Sequence, residues 1–234
     1  MQQLQPGLQN NNVINIIGRV ASDFVFSHEV FSEGFYNFNA EVRRLSDNSD
    51  LLPITISDRL TAGLDIKPGQ ITSISGQIRS YNSYIESEGR NRLVLTIFAK
   101  EFAPLEDENA ENLNDVYLNG YVCKPPIYRT TPFGREIADL LLAVNRSYNK
   151  SDYIPCIAWG RNAHFAGKFS VGDNVRVWGR MQSRIYQKKQ PDGSVTERTA
   201  FEVSIAKLER DAKPADPIAD VGETDEEAIT KGEE

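Results

Sequence analysis

Arg176, Trp178, Arg180, Gln182, Arg184 and Tyr186 occupy alternate positions in one stretch of the chain. In an extended segment they share one side. Val175, Val177, Gly179 and Met181 share the other. Three guanidinium groups interleaved with two aromatic rings suit a polyanion whose flat rings can stack. The plainer alternative is a solvated strand face with an incidental Trp; two rings among three arginines weigh against it. Lys188, Lys189 and Arg198 carry the charge into QKKQPDGSVTERT, where Asp192-Gly193 supplies a turn. A solvated hairpin tip is the alternative there.

Other chemistries find little support. The chain has two cysteines, Cys123 and Cys156, and two histidines, His28 and His164. They show no metal-ligand spacing, so no metal site is expected. Isolated thiols read as small buried hydrophobes. No nucleophile–base pair, paired-carboxylate motif or phosphate loop is present, so neither an enzyme nor a bound cofactor is expected. No apolar run approaches the roughly 20 residues of a membrane span. The polar start MQQLQPGLQNNN lacks the features of a signal peptide, which predicts a cytoplasmic protein.

Net charge is −7, unfavourable for a polyanion as an average. Its distribution is not even. Residues 1–112 hold 9 Lys/Arg against 15 Asp/Glu, residues 113–210 hold 15 against 9, and residues 211–234 hold 2 against 9. The basic surface is thus concentrated in one part of the chain.

The elements behind these residues emerge when the chain is laid on itself. Gly18 matches Gly120 and Pro53 matches Pro155, both 102 apart. Gly69 matches Gly172 and Gly76 matches Gly179, both 103 apart, and Lys100 matches Lys207. Matches in order at a slowly growing offset indicate a duplicated unit of about a hundred residues. The expected division is a first domain at 13–102, an acidic linker at 103–115, a second domain at 116–210 and a disordered acidic tail at 211–234. Each unit reads as all-β. VYLNGYV alternates Val116, Leu118 and Val122 with Tyr117, Asn119 and Tyr121. TPFG and PDG are turn signals, and GRNAHFAGKF is a short helical patch. About five strands, one short helix and a mid-strand Gly describe a small Greek-key barrel, of which several kinds fit.

Residues 117–208 resemble the bacterial single-stranded DNA-binding protein family along their length. The stretches that carry the likeness are YLNGYV, FGREIADLLLAVNRSY with its LAVNR, and YIPCIAWGRNAHFAGKFSVGDNVRVWGRMQSRIY. The first unit shares the strand frame and GQIRS. The resemblance implies two tandem OB-fold Greek-key barrels, single-stranded DNA as partner without sequence preference, and no catalysis. The family assembles four OB folds, which for two per chain implies a homodimer. It also implies a nucleoid-associated place in replication, recombination or repair. Family stacking positions fall on Tyr148, Trp159, Phe165 and Tyr186, with Arg146 beside them in LAVNR. For Trp159 and Phe165 the alternative is core packing. Trp178 stands where the family usually has a polar residue, and reads as an extra platform or an interface anchor. The family's tail is acidic and docks replication or repair proteins through an apolar tip; this tail ends in TKGEE.

Carried onto the first unit, the basic–aromatic face becomes Ser73, Ser75, Gln77, Arg79, Tyr81 and Ser83, and Trp159 becomes Ser57. The second unit is therefore expected to hold the strand, with a weaker second site at Arg79, Tyr81, Tyr84, Arg90 and Arg92. The competing function is an OB-fold scaffold of a replication-initiation or strand-annealing complex. RNA stays open as a ligand, because stacking and phosphate contact discriminate sugars poorly.

Overall fold

The computed structural model describes residues 10–211, apart from 45, 47, 87–88, 108–111 and 190–192. The described residues form two rounds of one element order. The first comprises β1 (Asn12–Val20), β2 (Val25–Val30), β3 (Glu33–Arg43), β4 (Ser49–Ser57), α1 (Asp58–Thr61), β5 (Ile71–Ile85) and β6 (Arg90–Leu105). The second comprises β7 (Asn114–Val122), β8 (Ile127–Thr130), β9 (Glu136–Arg146), β10 (Lys150–Trp159), α2 (Arg161–Ala166), β11 (Asn174–Lys189) and β12 (Val195–Arg210).

Each round closes on itself. β1 pairs antiparallel with β3 and β5, β5 with β6, and β6 runs parallel to β4, which pairs back to β3. β7, β9, β11, β12 and β10 repeat the circuit. This is the all-β, five-strand Greek-key closure of an OB fold. Each half carries a sixth strand beyond the five expected: β2 hairpinned onto β3, and β8 onto β9. Both are exposed along their whole length, so no inward alternation marked them in the sequence.

The cores follow from the alternation. Ile14, Ile16, Ile54, Ile74 and Ile78 fill the first barrel; Val116, Leu118, Cys156, Val177 and Met181 take the matching places in the second. Cys156 thus stands where the first half has a core isoleucine. The duplicated glycines are steric requirements. A Cβ on Gly76 would lie 2.2 Å from the Phe98 carbonyl oxygen, and one on Gly179 2.2 Å from that of Ser204. Both glycines sit at a register shift against the neighbouring strand, where the barrel bends.

Both ends of the segment 103–115 pair into strands. Ala103, Pro104 and Leu105 pair with Ser73, Thr72 and Ile71, and Asn114 and Asp115 pair with Ile16 and Asn15. Pro104 is tolerated because β4 pairs with β6 only at Ile97 and Phe98, leaving the other edge free of a ladder there. Of the acidic segment 211–234, only Asp211 falls among the described residues.

The halves join through an antiparallel β1–β7 ladder in which Ile14 lies opposite Val116. These two correspond in the repeat, so a pseudo-two-fold axis passes between them. The contacts around it occur twice. Asn12 donates to the Ile78 carbonyl at 2.8 Å and accepts from its N–H at 2.9 Å; Asn114 does the same with Met181 at 2.8 and 2.9 Å.

Candidate nucleic-acid interface

The β11 face is real but not bare. Val175, Val177 and Met181 are buried, and Arg176, Trp178 and Arg180 are half-buried on the opposite side. Each arginine has acidic company. Arg176 lies 2.7 Å from Asp211 and 3.4 Å from Glu209. Arg184 lies 3.4 Å from Glu202, with its guanidinium 5.7 Å from the Tyr186 ring centre. Arg180 comes within 3.9 Å of Asp50 in the other half. Gln182 is buried, donating to Glu202 at 2.9 Å and accepting from Arg180 at 3.3 Å. Trp178 is held between Tyr117, at 5.3 Å, and Lys207, whose ammonium sits 4.5 Å from its ring centre. Much of its surface is thus already used. Pairs between groups this exposed contribute little to stability, so a phosphate can displace the carboxylates on Arg176.

The freer aromatic surface lies around β9, β10 and α2. Trp159 ends β10 opposite Ile137 of β9, which lies opposite Arg129 of β8 on its other side. Residues level across a sheet share a face, so Trp159 and Arg129 stand in one row. Trp159 is 39% exposed. Phe165 on α2 is 39% exposed, but its ring meets buried Phe169 edge-on at 4.9 Å, so it serves both packing and surface. Tyr148 occupies the β9–β10 turn with φ +63°, and is 93% exposed. The sequence reading missed Tyr153, exposed on the same side of β10 as Trp159 and about 20 Å from it at 3.3 Å per residue. Its signal was the alternation Tyr153, Pro155, Ile157, Trp159. It also missed exposed Tyr121, Tyr128 and Phe133. Lys188 and Lys189 belong to β11, paired with Thr196 and Val195, and their side chains lie outside the described set.

In the first half, Ser57 replaces the Trp159 ring and caps α1, accepting from the Arg59 N–H at 3.2 Å. Tyr81 and Tyr84 are exposed on β5. Arg79 is engaged: its Nη1 reaches Asp152 at 3.2 Å and its Nη2 donates to Gln77 at 2.7 Å. Arg92 donates to the Thr199 carbonyl of the opposite hairpin at 3.0 Å. Arg90 begins β6 opposite Ile85. Phe26 and Phe31, on and beside the β2–β3 hairpin, are exposed aromatics that the offset transfer did not reach.

The two residue sets are not spatially separate. Arg92 and Tyr186 line one groove of about 340 Å³ between the hairpins. Arg79, Arg146 and Tyr148 line another cleft, of about 770 Å³, between the halves. Residues of the expected main and weaker sets therefore line common grooves along the junction. Only the packing of the halves creates those grooves.

Comparison with known proteins bears on this arrangement. The model of the single-strand binding protein family matches residues 113–211. Single-stranded DNA-binding protein 1 of Staphylococcus aureus (strain COL) is 39% identical over 85 residues, covering 33% of this chain and 51% of that protein. Single-stranded DNA-binding protein B of Bacillus subtilis (strain 168) is 34% identical over 115 residues, covering 46% of this chain and 98% of that protein. The chain spans about half the length of the first curated relatives it matches. The crystal structure of the wild-type single-stranded DNA binding protein from Thermus aquaticus superposes with a TM-score of 0.69 at 21% identity, covering 88% of this chain and 96% of that one. That likeness extends the shared fold across both halves.

Proposed function

The chain belongs to the single-strand binding protein family, and on that premise we propose that it binds single-stranded DNA without sequence preference and protects it during replication, recombination or repair. The observation that carries this reading is the row of exposed rings on β10, its preceding turn and α2. Tyr148, Tyr153, Trp159 and Phe165 offer stacking faces that accept any base, with Arg129 in the same row as Trp159. Phosphate contact comes from Arg146, Arg176, Arg180 and Arg184, with Lys188 and Lys189 extending the hairpin. The division into a first domain at 13–102 and a second at 116–210 is part of this reading, with the second holding more of the strand. So is a homodimer presenting four OB folds. The protein works in the cytoplasm with the nucleoid, by binding rather than catalysis, and its acidic C-terminal segment is offered to replication or repair proteins.

Tryptophan-fluorescence titration with oligo-dT, duplex DNA and oligo-U at two salt concentrations tests the reading. Tight, salt-sensitive binding of oligo-dT with much weaker binding of duplex is the expected result. Equal affinity for duplex overturns the stacking account.

A further inference from the structure

The cleft between the halves gathers Arg79 and Gln77 from β5, Lys100 from β6, Arg146 from the end of β9, Tyr148 from the turn and Lys150 from the start of β10. Neither half forms it alone. Four cations meet there, and the carboxylate that answers them is Asp152. It is fully buried, accepts from the Ser80 N–H at 2.8 Å, and lies 3.2 Å from Arg79 and 3.6 Å from Arg146. Lys100 and Lys150 have no ion-pair partner among the described residues. Burial, and then the nearby Arg79 charge, hold the Lys100 ammonium below its ordinary pKa. The Arg146 Nε has no hydrogen-bond partner.

The pseudo-two-fold axis supplies an internal control. Its operation carries this cleft onto Arg180, Gln182, Lys207, Arg44, Ser46 and Asn48, with Arg180 3.9 Å from Asp50. There the cations are answered. Arg44 pairs with Asp50 at 2.5 Å and Lys207 with Glu209 at 2.7 Å, and buried Glu202 takes the amide of Gln182. The buried Asp and its bridge to a serine of the other half occur on both sides, as parts of the joint between the halves. Lys150 and the exposed Tyr148 occur on one side only, so joining does not require them.

We infer that this cleft holds the sugar–phosphate backbone of a single strand as it passes from the second half to the first, Lys100 and Lys150 contacting phosphates and Tyr148 stacking a base at the mouth. The inference rests on the function proposed above and adds a binding role for the first half, whose net charge by itself argues against one.

The test uses the full chain and an oligo-dT of roughly 30 nucleotides, long enough to engage two OB folds. Affinity is measured across a salt series for the wild type, for Lys100→Gln with Lys150→Gln, and for Lys67→Gln with Lys124→Gln. The last pair removes the same charge away from the cleft. On single strands each phosphate contact contributes a slope of about −0.7 in log K against log salt, so the cleft variant should lose about 1.4 of slope and the control pair much less. A wild type that binds while the cleft variant keeps its slope, or loses no more than the control, overturns this inference alone. A wild type that fails to bind oligo-dT overturns the proposed function, and this inference with it.

Discussion

The Asp50 carboxylate accepts a hydrogen bond from the Ser183 backbone N–H at 2.7 Å and another from the Ser183 hydroxyl at 3.1 Å, across 133 residues of chain. The repeat carries this pair onto Asp152 and Ser80, and the same bridge forms there at 2.8 Å from the Ser80 N–H. Both carboxylates are fully buried. Each half therefore inserts one acidic side chain into the strand edge of the other, and an arginine of its own half, Arg44 or Arg146, accompanies it. A buried backbone N–H left without its acceptor costs about 1–3 kcal/mol.

Asp50→Ala and Asp152→Ala should each lower stability by about that amount, read as a shift in the urea midpoint. Asp50→Asn, which keeps an acceptor oxygen, should fall between wild type and Asp50→Ala. Combining the two alanine substitutions should separate the unfolding of the halves into two transitions. A single transition at the wild-type midpoint would mean that the β1–β7 ladder alone couples them.

Gly76→Ala and Gly179→Ala should each destabilise by about 1–3 kcal/mol or more, because the added methyl meets a backbone carbonyl that cannot rotate aside. Thermal melting followed by circular dichroism reads this directly. Equal losses in the two variants would match the equal 2.2 Å approaches at the two sites.

Trp159 and Trp178 should separate cleanly in binding. Trp159→Ala should cost about 1–3 kcal/mol in oligo-dT affinity, as for one stacked base. Trp178→Ala should cost less, since Tyr117 and Lys207 already cover the ring. In fluorescence, Trp159→Phe should remove most of the quench on titration with DNA and Trp178→Phe should leave most of it. The reverse pattern would move the stacking surface onto β11.

The two thiols differ in burial. Burial pushes both Cys123 and Cys156 above the ordinary thiol pKa, Cys156 the further because it is fully enclosed in the core. Raised pKa values leave little thiolate near neutrality, so labelling of the folded protein by iodoacetamide should be slow and should rise with pH well above the usual thiol range. Half-buried Cys123, whose Sγ lies 3.1 Å from the Leu141 carbonyl, should react first. Cys156 should react only on unfolding; its modification in the native protein at the rate of Cys123 would contradict the core packing.

The duplication could be read without coordinates because its markers answer to local sterics. Gly76 and Gly179 recur since a Cβ there collides with the adjacent strand. Ile54 and Cys156 fall at matching places since both must be apolar and inward. Alternation likewise told the inner side of β11 from the outer, and a family likeness placed Trp159 and Tyr148. Alternation names the side of a strand but not what stands beside it. The carboxylates of Glu202, Glu209 and Asp211 that meet the arginines arrive from β12 and the residue after it, in a register offset by a bulge near Gly179. β2 and β8 escaped notice because a strand exposed on both faces has no period to detect. The cleft was hidden most completely. Lys100 marks the repeat but nothing in the sequence sets it beside Lys150, in the other half, or beside Asp152. Only the pseudo-two-fold packing of one barrel on the other buries that carboxylate, shares it between two arginines, and brings to the same cleft two lysines that have no ion-pair partner among the described residues.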